Sequence, residues 1–130
     1  MGDSASVAKT VSESDVYLFA GITGDFNPAH VNEAEASKGM FQGRIAHGML
    51  SAGFISAAIA MKLPGPGAIY LGQELTFIKP VKIGDTITAT VTVAELLQSK
   101  NIVKLNTVCT NEHGEAVITG RATVMPIKKI

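Results

Sequence analysis

The stretch IAHGMLSAGFISAAIAM, residues 45–61, decides the fold, because it runs without a single Asp, Glu, Lys or Arg. Wound as a helix it presents Ala, Met, Leu, Phe and Ile on nearly every face, the pattern of a helix surrounded by protein or by lipid. It is shorter than the roughly 20 apolar residues that a membrane span needs. Its His47, two Ser and two Gly also argue against lipid, so a buried helix over residues 45–62 is expected. Leu63-Pro64-Gly65-Pro66-Gly67 stops it.

Outward from this helix the hydrophobic period changes. Downstream, residues 68–78, 86–97, 101–111 and 116–125 are rich in Val, Ile and Thr, and they are divided by turn signals at Gly84-Asp85, Ser99-Lys100-Asn101 and His113-Gly114. Four antiparallel strands are predicted. Upstream, Ser12 with Asp15 resembles a capping box, and Val16, Phe19 and Ala20 follow at helical spacing, which predicts a short helix over 13–21. The segment from Gly24 to His30 is an ordered loop, since Pro28 fixes its own φ and drives Asn27 towards extended geometry. Helical period first and alternating period second give an α+β class. A sheet of this kind needs one face covered, so it should wrap around the helix, and its exposed edges favour pairing with a second copy.

The composition excludes whole classes. With 130 residues, 46% hydrophobic and 17% charged, one domain spanning 1–130 is expected and a disordered or fibrous chain is not. Eleven basic residues balance eleven acidic ones, so no bulk field draws in nucleic acid or an anionic membrane, and neither is expected as a partner. Cys109 is the one cysteine, which rules out an internal disulfide and the usual thiolate zinc clusters. Residues 1–10 are small, polar and mixed rather than a basic and then apolar leader, so a cytoplasmic protein is expected.

Asp25 and His30 lie five residues apart on the constrained loop, with Asn27 between them, and His47 heads the apolar helix. A carboxylate and an imidazole beside a hydrophobic helix are the ingredients of general acid/base chemistry. The spacing fits two other roles as well: Asp25 bonding its own turn, and His30 and His47 satisfying local backbone groups. His113 belongs to a solvated hairpin turn. Asp25, His30 and His47 could in principle ligate a metal, but their spacing matches no known ligand pattern and no metal is expected.

A longer pattern is more specific. Phe19-Ala20-Gly21-Ile22-Thr23-Gly24-Asp25-Phe26-Asn27-Pro28-Ala29-His30, followed by Phe41-Gln42-Gly43-Arg44-Ile45-Ala46-His47-Gly48-Met49-Leu50, resembles the hydratase-2 motif of the MaoC-like family, the (R)-specific enoyl-CoA hydratases of the PhaJ type. Leu63 to Gln73 resembles the strand that follows the central helix there, and the similarity covers nearly the whole chain. The resemblance implies a hot dog fold, a long central helix wrapped by an antiparallel sheet, usually as a homodimer. It implies catalysis by Asp25 and His30, an oxyanion contact from the Gly48 N–H, and a hydrogen bond from Ser56 to the catalytic loop. Asn27 would hold that loop and His47 would frame Gly48. The implied reaction is reversible hydration of trans-2-enoyl-CoA to (R)-3-hydroxyacyl-CoA, a hydro-lyase reaction needing no cofactor, with CoA as part of the substrate.

The CoA phosphates call for local cations, and the second half of the chain holds the positive excess, with Lys79, Lys82, Lys100 and Lys104 as candidates. Hot dog acyl-CoA thioesterases are an alternative, but they commonly place an acidic residue on the central helix, where this chain has none. Acyl-carrier-protein dehydratases use a His and a Glu in a context not found here. A non-catalytic acyl-CoA-binding hot dog domain would be favoured by loss of Asp25 or His30, and both are present.

Overall fold

The computed structural model describes residues 2–129. It begins with an element the sequence reading missed: β1 (Ser4–Thr10), a seven-residue strand paired along its whole length with β3 (Thr86–Leu97) from Ser4↔Thr92 to Thr10↔Thr86. Its partly buried side consists only of Ala5 and Val7, too weak an alternation to stand out. Hydroxyl pairs help to hold it, with Ser4 3.2 Å from Thr92 and Thr10 2.8 Å from Thr86.

The capping box forms. Ser12 Oγ accepts the Asp15 N–H at 3.1 Å while the Asp15 carboxylate accepts the Ser12 N–H at 3.0 Å, opening α1 (Glu13–Thr23). Gly24, at φ 82°, closes it in the left-handed conformation that glycine adopts without strain. The 24–30 loop is shorter than expected, because Asn27 Oδ1 accepts the Ala29 N–H at 3.0 Å and caps a single turn, α2 (Pro28–Val31), so His30 sits on a helix rather than on a loop. A second turn, α3 (Glu33–Ala36), follows.

The apolar helix α4 runs from Gly48 to Met61, starting three residues later than the composition suggested. Residues 45–47 are instead an extended strap, since Ile45 bridges to Lys82 and the Ala46 N–H donates to Val81 O at 2.7 Å. After β2 (Ile69–Phe77) and β3 come β4 (Ile102–Thr110) and β5 (Ala116–Met125), close to their predicted spans. The five strands form one antiparallel sheet in the order β1-β3-β4-β5-β2.

The core lies between α4 and the concave face of the sheet. Ile55, Ala58 and Ile59 of the helix meet Ile87, Ala89 and Val91 of β3, with Leu105 and Cys109 of β4 beside them. Burial of the Cys109 thiol pushes its pKa up to about 12, so it is a packing residue and not a nucleophile. The arrangement is the hot dog that the resemblance implies. It departs from expectation in coverage: the sheet of one chain hides only the Ser51, Ile55, Ala58 and Ile59 side of α4, while Met49, Gly53, Ala57 and Met61 remain exposed. All-round apolar composition does not reveal how much of a helix the sheet of its own chain covers.

Candidate active site

Three elements converge at the N-terminus of α4. Helix α1 ends at Thr23, whose Oγ1 donates to Phe19 O at 2.8 Å and accepts the Asp25 N–H at 3.2 Å, fixing the start of the loop. Asp25 Oδ1 accepts the Asn27 N–H at 3.2 Å. Asp25 is therefore a turn residue with a second carboxylate oxygen to spare, and in the single chain it is exposed. The α2 turn brings in His30. Its Nδ1–H donates to Ile45 O at 2.7 Å, and since a carbonyl can only accept, this bond assigns the proton to Nδ1 and leaves Nε2 as the nitrogen open to proton exchange.

The strap brings in His47, which is only 2% exposed. Its Nε2–H donates to the Asp25 carbonyl at 2.9 Å, so His47 pins the backbone of the residue whose side chain is the candidate acid or base. Its ring stacks on His30 with centroids 3.9 Å apart and packs against Phe19 at 4.8 Å. His47 Nδ1 is buried without a hydrogen-bond partner, as is the Ser51 hydroxyl one turn further along α4.

Ligating atoms of Asp25, His30 and His47 all lie within 4.8 Å of one another. Zinc bound at about 2.0–2.1 Å in a tetrahedron needs ligand atoms roughly 3.3 Å apart, with lone pairs pointing at one centre. Two stacked imidazoles, each with one nitrogen tied to a carbonyl, instead lie face to face. The arrangement suits proton transfer better than coordination.

Gly48 is the first residue of α4, and no side chain caps that helix end. Its N–H has no acceptor among the described residues, and the helix dipole adds positive potential there. A Cβ on Gly48 would lie 2.6 Å from Phe77 Cε1, so only glycine allows the Phe77 ring to lie against this helix terminus. Asp25, His30, His47 and Gly48 share a cavity of about 190 Å³. Through His30, Gly48 and Met49 it adjoins an apolar groove of about 590 Å³ walled by Phe41, Ile45, Phe77 and Val81.

The remaining candidates are not brought together. Lys79, which is paired with Glu115, is the one Lys or Arg lining the groove, and Lys82 lies three residues on in the same connection to β3. Lys100 and Lys104 lie at the other end of β3, whose twelve residues span about 36–40 Å. Lys104 also alternates with buried Val103 and Leu105, on the sheet face turned away from α4. The four lysines therefore do not form one cluster: charge counting along the sequence could not see that a long strand separates them. Ser56 is half-buried on α4 and makes no hydrogen bond to the 24–30 loop, the hydroxyl buried nearest the site being Ser51. His113 is an exposed hairpin residue. Sequence reasoning gave no role to Thr23, to Phe19, to the Ile45 carbonyl or to Phe77. Phe19, Thr23 and Ile45 lie inside the quoted motif, but only their tertiary contacts reveal what they do.

The sequence profile of the MaoC like domain matches residues 3–116. An (R)-specific enoyl-CoA hydratase from Rhodospirillum rubrum is 62% identical over 124 residues, covering 95% of this chain and 85% of the relative. Among solved structures, the unliganded R-hydratase of Pseudomonas aeruginosa superposes with a TM-score of 0.93 at 46% identity, over all of this chain and 84% of that one. The Aeromonas caviae (R)-hydratase involved in PHA biosynthesis gives 0.92 at 40% identity, over 95% of this chain and 94% of that one. The profile match and the similarity along almost the whole length agree with the loop, strap and helix terminus described above: the chain belongs to the MaoC-like domain family.

Proposed function

We propose that the protein is an (R)-specific enoyl-CoA hydratase, adding water reversibly to a trans-2-enoyl-CoA. The observation that carries the reading is the meeting of the Asp25 carboxylate, the free Nε2 of His30 and the uncapped Gly48 N–H around one cavity that adjoins an apolar groove. The thioester carbonyl accepts from Gly48, and a water held between Asp25 and His30 attacks C3. As the C3–O bond forms, the π electrons move onto the thioester oxygen as an enolate, stabilised by the Gly48 N–H and the helix dipole. One member of the Asp25/His30 pair takes the proton that the water loses, and the other delivers a proton to C2. A proton then passes from the group that gained one to the group that gave one, which restores the pair for the next turnover. Water and both protons are accounted for without oxidation or reduction, so the reaction calls for no cofactor.

The working unit is proposed to be a homodimer. Asp25 is exposed in one chain, the neighbouring Ile22 and Phe26 are 82% and 60% exposed, and edge strand β2 leaves Ile69, Tyr70 and Leu71 uncovered. A second copy covering these surfaces would exclude water from the site and protect the sheet edge. Lys79 and Lys82 are the cations proposed to meet the CoA phosphates. No helix among the described residues is long and apolar enough to cross a membrane, and the single unpaired thiol fits the cytoplasmic setting we assign. Crotonyl-CoA tests the reading: loss of the enoyl-thioester absorbance without release of free thiol supports the hydratase, whereas thiol release would indicate a thioesterase. A monomer mass by light scattering at micromolar protein would overturn the dimer.

A further inference from the structure

We infer that Arg44 is a positioning residue for the Asp25/His30 pair, clamping the helix that delivers Asp25 to the strap that orients His30; this rests on the hydratase reading. The Arg44 side chain is 14% exposed and reaches three groups on two elements. Nη2 donates to Glu13 at 2.8 Å and Nη1 to the Tyr17 hydroxyl at 3.0 Å, both on α1, while Nε lies 3.6 Å from Glu33 on α3. The Arg44 backbone N–H also donates to Glu33 at 3.4 Å. The Glu13 carboxyl is held below its ordinary value, chiefly by the hydrogen bond from Arg44, so the ion pair persists at neutral pH.

The next residue in the chain carries the consequence. Ile45 donates its N–H to Ala29 O at 3.0 Å and accepts the His30 Nδ1–H at 2.7 Å, so the carbonyl that sets the His30 tautomer lies one peptide beyond the clamp. Helix α1, gripped at Glu13 and Tyr17, runs directly into Gly24 and Asp25. Without Arg44, helix and strap are joined near the site mainly through His47, and the distance between the two proton-transfer groups is free to drift. A drift of about 1 Å is enough to lower the rate by about 10²-fold. Lysine cannot replace the clamp, because its single ammonium lacks the planar fork that donates to both Glu13 and Tyr17.

The test uses purified full-length protein with ¹⁵N-labelled histidine. In the wild type the His30 Nδ1–H, identified by its loss in His30→Gln, should give a slowly exchanging downfield signal. Arg44→Met should broaden or remove that signal and lower kcat by about 10- to 10²-fold while leaving KM within a few-fold, with Arg44→Lys recovering only part of both. Should Arg44→Met fail to fold, Tyr17→Phe removes one arm of the clamp and should shift both readouts in the same direction by less. A folded Arg44→Met with lower Tm but unchanged kcat and His30 signal would overturn the inference. So would loss of the signal with normal kcat. An inactive wild type that still shows an Arg44-dependent signal would instead sink the hydratase reading and leave the clamp standing.

Discussion

Gly48→Ala tests whether the helix terminus and the Phe77 ring act together. The added Cβ would lie 2.6 Å from Cε1 and 2.8 Å from Cδ1 of Phe77, where ordinary contacts begin at 3.4 Å. The ring must therefore retreat by about 1 Å, and a displacement of that size beside reacting groups lowers rates by up to about 10²-fold. Phe77 is half-exposed at the end of β2 and has room to swing outward, so the stability loss should be at the low end for overpacking, about 1 kcal/mol. The expected fall in kcat/KM is about 10- to 10²-fold, or roughly 1.4–2.7 kcal/mol of transition-state stabilisation. The three nearest atoms to the added Cβ all belong to Phe77, so in a Phe77→Ala background the same change should cost little. The assay is steady-state hydration of crotonyl-CoA by the wild type, both single variants and the double variant. Equal penalties in both backgrounds would show that the methyl group blocks the N–H itself. No penalty in either would show that the thioester does not approach Gly48.

Three further outcomes follow from the capping box and from the lysines. Ser12→Ala removes half of the capping box of α1 and should lower stability by about 1 kcal/mol, which calorimetry would read as a Tm drop of about 3–5 °C. The Asp15 carboxyl is held below its ordinary value of 3.8, first by its hydrogen bond with Lys9 and then by the Ser12 N–H. Its stabilising contribution is therefore complete above that value and disappears as pH falls through the depressed one, so Asp15→Asn should destabilise at pH 7 and match the wild type in strong acid. Lys79→Ala should raise KM for crotonyl-CoA at low ionic strength while sparing kcat, an effect that fades in higher salt, whereas Lys104→Ala should change neither.

Much of this architecture was legible because its signals are local. The capping box at Ser12 and Asp15, the Pro64 and Gly65 stop, and the Val, Ile and Thr alternation of β3 and β5 each constrain the backbone within a few residues. The β1 strand was not legible because its pairing with β3 is long-range and its inward side chains are too small to create a period. Asp25 and His30 stood out by residue type. The groups that orient them did not, because the His30 acceptor is a backbone carbonyl fifteen residues away, and the His47 acceptor is the carbonyl of Asp25 itself. The lysines present the opposite case: they are easily counted, but that β3 separates Lys79 and Lys82 from Lys100 and Lys104 shows only in the fold.

The most direct measurement is kcat and KM for crotonyl-CoA hydration by Asp25→Asn, with chiral analysis of the wild-type product. The amide retains an oxygen that can accept the Asn27 N–H, so the loop should keep its shape and KM should change little. It cannot exchange a proton at neutral pH, so kcat should fall by about 10²–10⁴-fold. His30→Gln should fall similarly, and the double variant should lose far less than the product of the two, because both groups act on one water. The account predicts this pattern and an (R)-3-hydroxy product. Near-normal kcat in Asp25→Asn, or an (S)-3-hydroxy product, would contradict it.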